Sequence, residues 1–307
     1  MNPQSRGGSA RRLFARAEQL LRARLGSIEV AATRGPRDAE RLAREGVRAG
    51  FRKIVVVGGD GTASEVAAGV LSAGLGDAVQ IGFLPLGTGG DFARSLGLPA
   101  SLVACVEKLA EGPVRRIDAG RVSCVGRGGE AVQTFFLNVV SCGLSGVVDE
   151  RVNRSSKRGG GFAFLWQTLG ALAAYTYPPA RLRVDGEFFW EGPLLVAAAA
   201  NGTSFGGGMQ IAPNARCNDG WLDMVAVRRV PPLRVLWKLF SVYRGAHLDS
   251  PEVVLRRGRR LEVDPVDPSQ CLWVDVDGDC LGIAPAAFEI LPGALSVFGA
   301  GDGSEPV

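Results

Sequence analysis

Histidine is almost missing from this chain: His247 is the only one. A zinc site with several imidazole ligands is therefore excluded. A Ser-His-Asp triad would have to use that one residue, and the plainer expectation places it in a polar surface loop. The six cysteines are scattered and form no C-x-x-C pair. This argues against structural zinc or a disulfide framework and for a reduced, cytosolic chain. The opening, Met1 to Arg12, lacks the apolar core of a secretory signal. The longest apolar stretch, Phe162 to Tyr177, is broken by Gln167 and falls short of the ~20 residues a spanning helix needs. No G-x-x-x-x-G-K-[ST] occurs. Neither glycine turn completes G-x-G-x-x-G, because Gly59 and Gly61 are followed by Ser64, and Gly87 and Gly89 by Phe92. No internal repeat is present. The arginine clusters lack interleaved aromatics, so nucleic acid is a poor partner.

What remains is apolar enough for full cores. At 307 residues, a prior of about 150 residues per domain gives two domains. Glycine is abundant at 43 residues but not periodic, which indicates many tight turns. Net charge is only +4, with arginine far outnumbering lysine. The chain is organised around Ile54-Val55-Val56-Val57-Gly58-Gly59-Asp60-Gly61-Thr62. Continuous β-branched residues predict a strand buried on both faces. The glycines allow a sharp turn at its end. Thr62 with Glu65 fits a capping box for a helix from Ala63 to about Leu71. A strand, a bare turn and a helix start form a place where phosphate can approach backbone N–H groups.

Before this stretch, the sequence predicts a turn at Met1 to Gly8, helices at Ala10 to Leu25 and Asp38 to Gly50, and a strand at Ile28 to Ala32. After it, Val79 to Pro85 reads as a second buried strand. That strand runs into Leu86-Gly87-Thr88-Gly89-Gly90-Asp91, a second glycine turn with a second Asp. A short helix ends near Gly97, and another spans Ser101 to Glu111. This alternation predicts a three-layer α/β domain over residues 1–119, with its site at the strand C-termini and the tail 292–307 returning to it. Residues 120–291 read as a β-rich, sandwich-like domain. Short strands are expected at Gly120 to Val125, Gln133 to Val140, Arg181 to Val184, Gly192 to Ala200, Trp221 to Val227, Arg260 to Val263 and Leu272 to Val276. Helices are expected at Phe162 to Tyr175 and Leu233 to Tyr243.

Two matched strand–glycine–Asp turns on one sheet edge would cradle a polyphosphate between them, with Thr62 and Thr88 offering hydroxyls. Asp60, Asp91 and Asp118 would then stand near it, and carboxylates beside phosphate imply Mg²⁺ and its waters. The alternative is that each Asp caps a helix or closes a turn. Asp275, Asp277 and Asp279 form a later acidic turn. Their clustering would raise their pKa values and suit a general base, unless the turn is a solvated hairpin. The basic stretch Arg151 to Arg158, the apolar Phe162 to Tyr177 and Arg256 to Arg260 would suit an anionic bilayer surface, or be a solvated loop and a core helix.

Gly58-Gly59-Asp60-Gly61-Thr62 with Glu65, Leu84-Pro85-Leu86-Gly87-Thr88 with Asp91-Phe92-Ala93-Arg94, and Asp277-Gly278-Asp279 together resemble the diacylglycerol kinase catalytic domain family. The likeness is greatest to the bacterial soluble lipid kinases related to the diacylglycerol, sphingosine and ceramide kinases. Asn2-Pro3 with Ser5 and Gly7-Gly8 fits the family's first turn. Gly206 to Met209, Ala212-Pro213 and Asp219-Gly220 fit its second domain. The resemblance implies an ATP- and Mg²⁺-dependent kinase with its site in the cleft between the domains. Asn2, Thr33, Gly58, Gly59, Asp60, Gly61, Thr62, Ala63, Ser64, Glu65, Gly87, Thr88 and Asp91 would hold the nucleotide. Asp60, Asp91 and Asp118 would organise the metal. Arg216, Asp219 and Trp221 would form a second, structural Mg²⁺ site. Asp277 or Asp279 would take the acceptor's proton. Asp279 stands where the family usually has Glu, and Ser64 and Gly90 where it commonly has Asn. The family's usual strand before Asn2 is not seen. The implied partners are a lipid substrate and, transiently, an anionic membrane surface, for a cytoplasmic protein peripheral to the membrane; a homodimer is left open. The competing readings are an NAD kinase, which shares the central turn, and a member that binds nucleotide or lipid without turnover.

Overall fold

The computed structural model describes residues 1–3, 10–87, 89–148, 170–172, 174–231, 234–235 and 241–301. Ser5, Gly7, Gly8, Thr88 and the basic stretch 151–158 lie outside these residues, as do most of the expected helices at 162–175 and 233–243.

The first half alternates helix and strand: α1 (Ala10–Leu25), α2 (Asp38–Arg48), β1 (Lys53–Gly58), α3 (Asp60–Ser72), β2 (Gln80–Pro85), α4 (Asp91–Ser95) and α5 (Leu102–Glu111). β1 and β2 pair in parallel from Lys53↔Gln80 to Gly58↔Pro85. Both faces are covered, as their unbroken apolar runs require. Val56, Ile81 and Phe83 pack with α2 and α3. Val57 and Leu84 pack on the opposite side with Ala17 and Leu21 of α1 and Val106 and Leu109 of α5. The result is three layers with the strand C-termini at one edge.

The second half is antiparallel: β3 (Val114–Val125), β4 (Ala131–Phe136), β5 (Val139–Gly143), β6 (Pro179–Val184), β7 (Glu187–Ala200), β8 (Leu222–Arg228), β9 (Val253–Gly258), β10 (Arg260–Pro265), β11 (Trp273–Val276) and β12 (Asp279–Phe298). Pairing runs β12–β10–β6–β7–β5–β11 and returns to β12, so the sheet closes on itself. Its interior is a dry core that includes Phe136, Leu182, Leu194, Met224, Leu261 and Phe288. The end of β12 leaves this circuit and lies parallel to β2, with Ser296↔Gln80 and Val297↔Ile81.

Three local expectations are corrected. Ile28 to Ala32 joins no sheet. It lies outside Met1 and Asn2, which bridge it to β1: Met1 donates to Ala31 O at 2.8 Å, Thr33 N to Met1 O at 2.9 Å, and Asn2 N to Val57 O at 3.0 Å. Helix α3 begins at Asp60, not Ala63. Glu65 makes no capping box there, because its carboxylate accepts Arg37 N and Ala39 N at 3.0 Å each, capping α2 instead. Gln133 to Val140 is not one strand: β4 and β5 are separate, broken at Leu137 and Asn138.

Candidate active site

The in-register pairing of Gly58 with Pro85 makes the two glycine turns leave the sheet side by side. Leu86 N donates to Gly58 O at 2.9 Å. A Cβ on Gly87 would lie 2.5 Å from the Cα of Gly59, so the backbones touch and only glycine fits. Asp60 ties the turns together: its Oδ2 accepts Asp91 N at 2.9 Å and its Oδ1 accepts Phe92 N at 3.3 Å, at the start of α4. Asp60 is thus a helix cap, yet burial, with Asp91 and Asp277 nearby, pushes its pKa up against those bonds. Around the first turn, Asn2 Nδ2 donates to Thr62 Oγ1 at 3.1 Å, and Thr62, Ala63 and Ser64 are buried.

Asp91 is 4% exposed. It pairs with Arg94, and its carboxylate accepts Ser204 Oγ at 3.2 Å and Gly207 N at 2.8 Å. It therefore pins the 206–208 glycine loop of the second half to the first half. Asp277 and Gly278 form the tip of the β11–β12 hairpin, with φ of 50° and 90°, the two positive values a type I′ Asp-Gly turn requires. There the Asp277 carboxylate accepts Leu137 N at 2.8 Å and Asn138 N and Val139 N at 3.0 Å each. Ser64 adds a side-chain bond. Burial raises its pKa against all four. Asp279 is exposed and faces the first turn, its Oδ2 3.8 Å from where a Cβ on Gly61 would be.

The structure brings together Asp60, Asp91 and Asp277. It places Asp118 elsewhere: that carboxylate accepts Gly220 N at 2.7 Å and Gly293 N at 2.6 Å. Burial raises its pKa, and Asp219 is the anion acting on it. Asp219 in turn caps Trp221 N at 3.1 Å and pairs with Arg257. Arg257 and Arg259 lie over the Trp221 ring, at 6.0 and 5.0 Å from its centroid. Among the described residues no group of three His, Cys, Asp or Glu side chains could hold a metal ion. Asp91 is held by Arg94, Ser204 and Gly207, so a magnesium ion in this cleft would be carried mainly by phosphates and water, with Asp60, bound by two backbone donors, as the acid left to face it.

A cavity of about 590 Å³ adjoins these acids. Asp60, Asp91, Asp277 and Asn138 line it together with Leu144, Val148, Leu195, Phe205, Met209, Val227 and Val253. Its apolar wall comes from strands, loops and helix ends scattered between Val139 and Val253. No local pattern marks it, and the sequence reading missed it. His247 also lines it. It is 3% exposed, not in a surface loop, with Nε2 3.1 Å from Ile211 O; burial lowers its pKa. The Arg256 to Arg260 run is largely paired: Arg256 with Glu187, Arg257 with Asp219 and Asp223, and Arg260 with Glu262 and Glu289.

Residues 1–122 match the family model of the diacylglycerol kinase catalytic domain. Residues 138–299 match that of the YegS C-terminal NAD kinase beta sandwich-like domain. Among curated proteins, a probable lipid kinase YegS-like of Chromohalobacter salexigens is 35% identical over 66% of this chain and 63% of its own length. A diacylglycerol kinase of Mycobacterium tuberculosis is 30% identical over 85% of this chain and 81% of its own. A probable lipid kinase YegS of Salmonella schwarzengrund is 32% identical over 87% and 85%. A crystal structure of a diacylglycerol kinase from Bacillus anthracis superposes with a TM-score of 0.71 at 20% identity, covering 99% of this chain and 96% of that one, a likeness of fold.

Proposed function

The chain belongs to the diacylglycerol kinase catalytic domain family, in the group with a YegS-type C-terminal domain, and from that membership we propose that it transfers the γ-phosphoryl group of ATP to a hydroxyl of a lipid. One observation carries the reading: a large apolar cavity meets the paired glycine turns at a cluster of acids. Apolar walls suit acyl chains. A soluble nucleotide acceptor such as NAD would find few polar partners along Leu144, Val148, Leu195 and Val227.

In this reading the two turns present backbone N–H groups to the nucleotide phosphates. Magnesium, when bound, neutralises charge on the transferring group. Asp60 lines the cavity, carries a raised pKa and keeps lone pairs beyond its two backbone bonds, so it takes the proton of the lipid hydroxyl. The acceptor positions of Asp277 are filled by Leu137, Asn138, Val139 and Ser64; it acts as a clamp, and after burial and Asp91 it adds to what raises the pKa of Asp60. Phe188 and Leu255, 65% and 47% exposed beside Arg256, suit work at a bilayer.

The test is labelled ATP with diacylglycerol, sphingoid base, ceramide and phosphatidylglycerol in mixed micelles. Phospholipid product that is lost in Asp60→Asn is expected. Labelled product from NAD⁺ alone would overturn the reading, as would no lipid product from a protein that binds ATP.

A further inference from the structure

The hairpin that presents Asp277 carries another carboxylate, for which the mechanism above has no use. Asp275, on β11, is 2% exposed. Its Oδ1 accepts Gly278 N at 2.9 Å, which fixes it to the hairpin tip. Across the β11–β5 ladder its partner is Ser141, and the Ser141 hydroxyl lies 3.2 Å from Asp275 Oδ2. Ser141 is wholly buried. Its Oγ is 2.7 Å from the Oγ of Ser145, four residues on in the chain. Ser145 and Asp275 both line the cavity, beside the apolar Leu144 and Val148.

The chemistry of the three groups fixes the direction of this chain. Ser141 Oγ donates to Asp275 Oδ2, whose other oxygen already accepts Gly278 N, so the Ser141 proton is spent on Asp275. The Ser141 oxygen then receives the proton of Ser145. With that proton engaged, the Ser145 oxygen offers the cavity lone pairs and no donor. Burying a carboxylate and two hydroxyls beside an apolar wall costs stability that apolar residues of similar shape would not, so the network is more than filler.

We propose that Ser145 Oγ accepts a hydrogen bond from a free hydroxyl of the lipid headgroup other than the one that is phosphorylated, with Ser141 and Asp275 as positioning residues that keep the Ser145 proton turned away. The inference rests on the lipid-kinase reading and specifies which substrate group is recognised. A lipid with a free alcohol at this point is favoured over one lacking it, whatever its acyl chains.

The test is calorimetric binding of dioctanoyl phosphatidylglycerol, which has two headgroup hydroxyls, against each of its two counterparts with one of them replaced by hydrogen. One neutral hydrogen bond corresponds to a preference of about three- to tenfold. The unmodified protein is expected to show it for at least one pair. Ser145→Ala and Ser141→Ala should each abolish it, the double variant should lose no more than Ser145→Ala alone, and Ser145→Thr should keep it. ATP affinity should be unchanged throughout. Equal affinity for the diol and both deoxy lipids in the unmodified protein would overturn the proposal, as would no binding of the diol or two preferences that both survive Ser145→Ala. The comparison within the unmodified protein decides even if a variant fails to fold. A Ser145-dependent preference without phosphate transfer would sink the kinase reading and leave this inference standing. Transfer without the preference would do the reverse.

Discussion

Two aspartates of one hairpin turn in the cleft do opposite kinds of work. Asp277 gathers main-chain donors of three buried residues, Leu137, Asn138 and Val139. Asp279 stands exposed two residues away. Asp277→Ala strands those donors, and at ~1 kcal/mol or more for each orphaned group it is expected to cost about 3 kcal/mol or more of stability in urea unfolding. Asp279→Ala should stay within about 0.5 kcal/mol, as for an ordinary surface position. Similar losses for the two would refute the assignment of Asp277 as the clamp. Asp60 differs from both. Asp60→Asn keeps the side-chain shape and one good acceptor for α4, so it is expected to fold while phosphate transfer falls by about 10²-fold or more, the usual range for losing a general base; near-normal turnover would move the proton to another group. The Asp-Gly-Asp motif and the Gly-Gly-Asp-Gly turn made these residues visible in the sequence. The division of labour was not visible, because the donors that saturate Asp277 come from the β4–β5 break, far away in the chain.

At the level of elements, the pairing of the turns is the demanding feature. A methyl on Gly87 meets the Cα of Gly59, backbone that has no rotamer to yield. Gly87→Ala is therefore expected to push the turns apart and weaken ATP binding about tenfold or more, while lipid binding to the cavity persists; nucleotide and lipid titrations on the same sample check this. Unchanged ATP affinity would show that the contact between turns is not used. β1 was legible because an unbroken β-branched run has no other good home than a two-sided strand, and β2 because Ile81, Phe83 and Leu84 lead into a glycine turn like that of β1. β9 was missed because Arg256 and Arg257 interrupt its apolar pattern at an edge, where among the described residues the strand pairs only with β8. Of β12 only the return of the tail 292–307 to the first half was expected. Gly282, Pro285 and Gly293 look like breaks, but the strand passes them with register shifts at 283–287 and 291–295 as it moves from one sheet partner to the next. Ile28 to Ala32 failed in the other direction: the pattern suited a strand, but Met1 and Asn2 hold the β1 edge.

On the scale of the whole molecule, the two halves meet through like charges. Asp60 and Asp91 come from the first half and Asp277 from the second, and the presence of the others helps to raise the pKa of Asp60 after burial has done so. A carboxyl whose folded pKa lies above its unfolded value binds its proton more tightly when folded. Near the ordinary value of 3.8 the group costs little; as pH rises through the raised folded pKa, its charge is imposed on the folded state and stability is lost. Other groups tilt the total: the lowered pKa of His247 makes it cost stability on the acid side. Comparison of Asp60→Asn with the unmodified protein isolates the one group. The variant should match the parent in melting temperature near pH 4 and exceed it progressively toward pH 8, as the repulsion it lacks is switched on in the parent. Magnesium with a non-hydrolysable ATP analogue supplies the missing positive charge, so it should raise the parent's melting temperature more at pH 8 than near pH 4 and narrow the gap between the two proteins. If the gap were independent of pH, or the metal nucleotide left it unchanged, the acids would not be facing one another across a site built for a cation, and the function proposed for the cleft would lose its electrostatic basis.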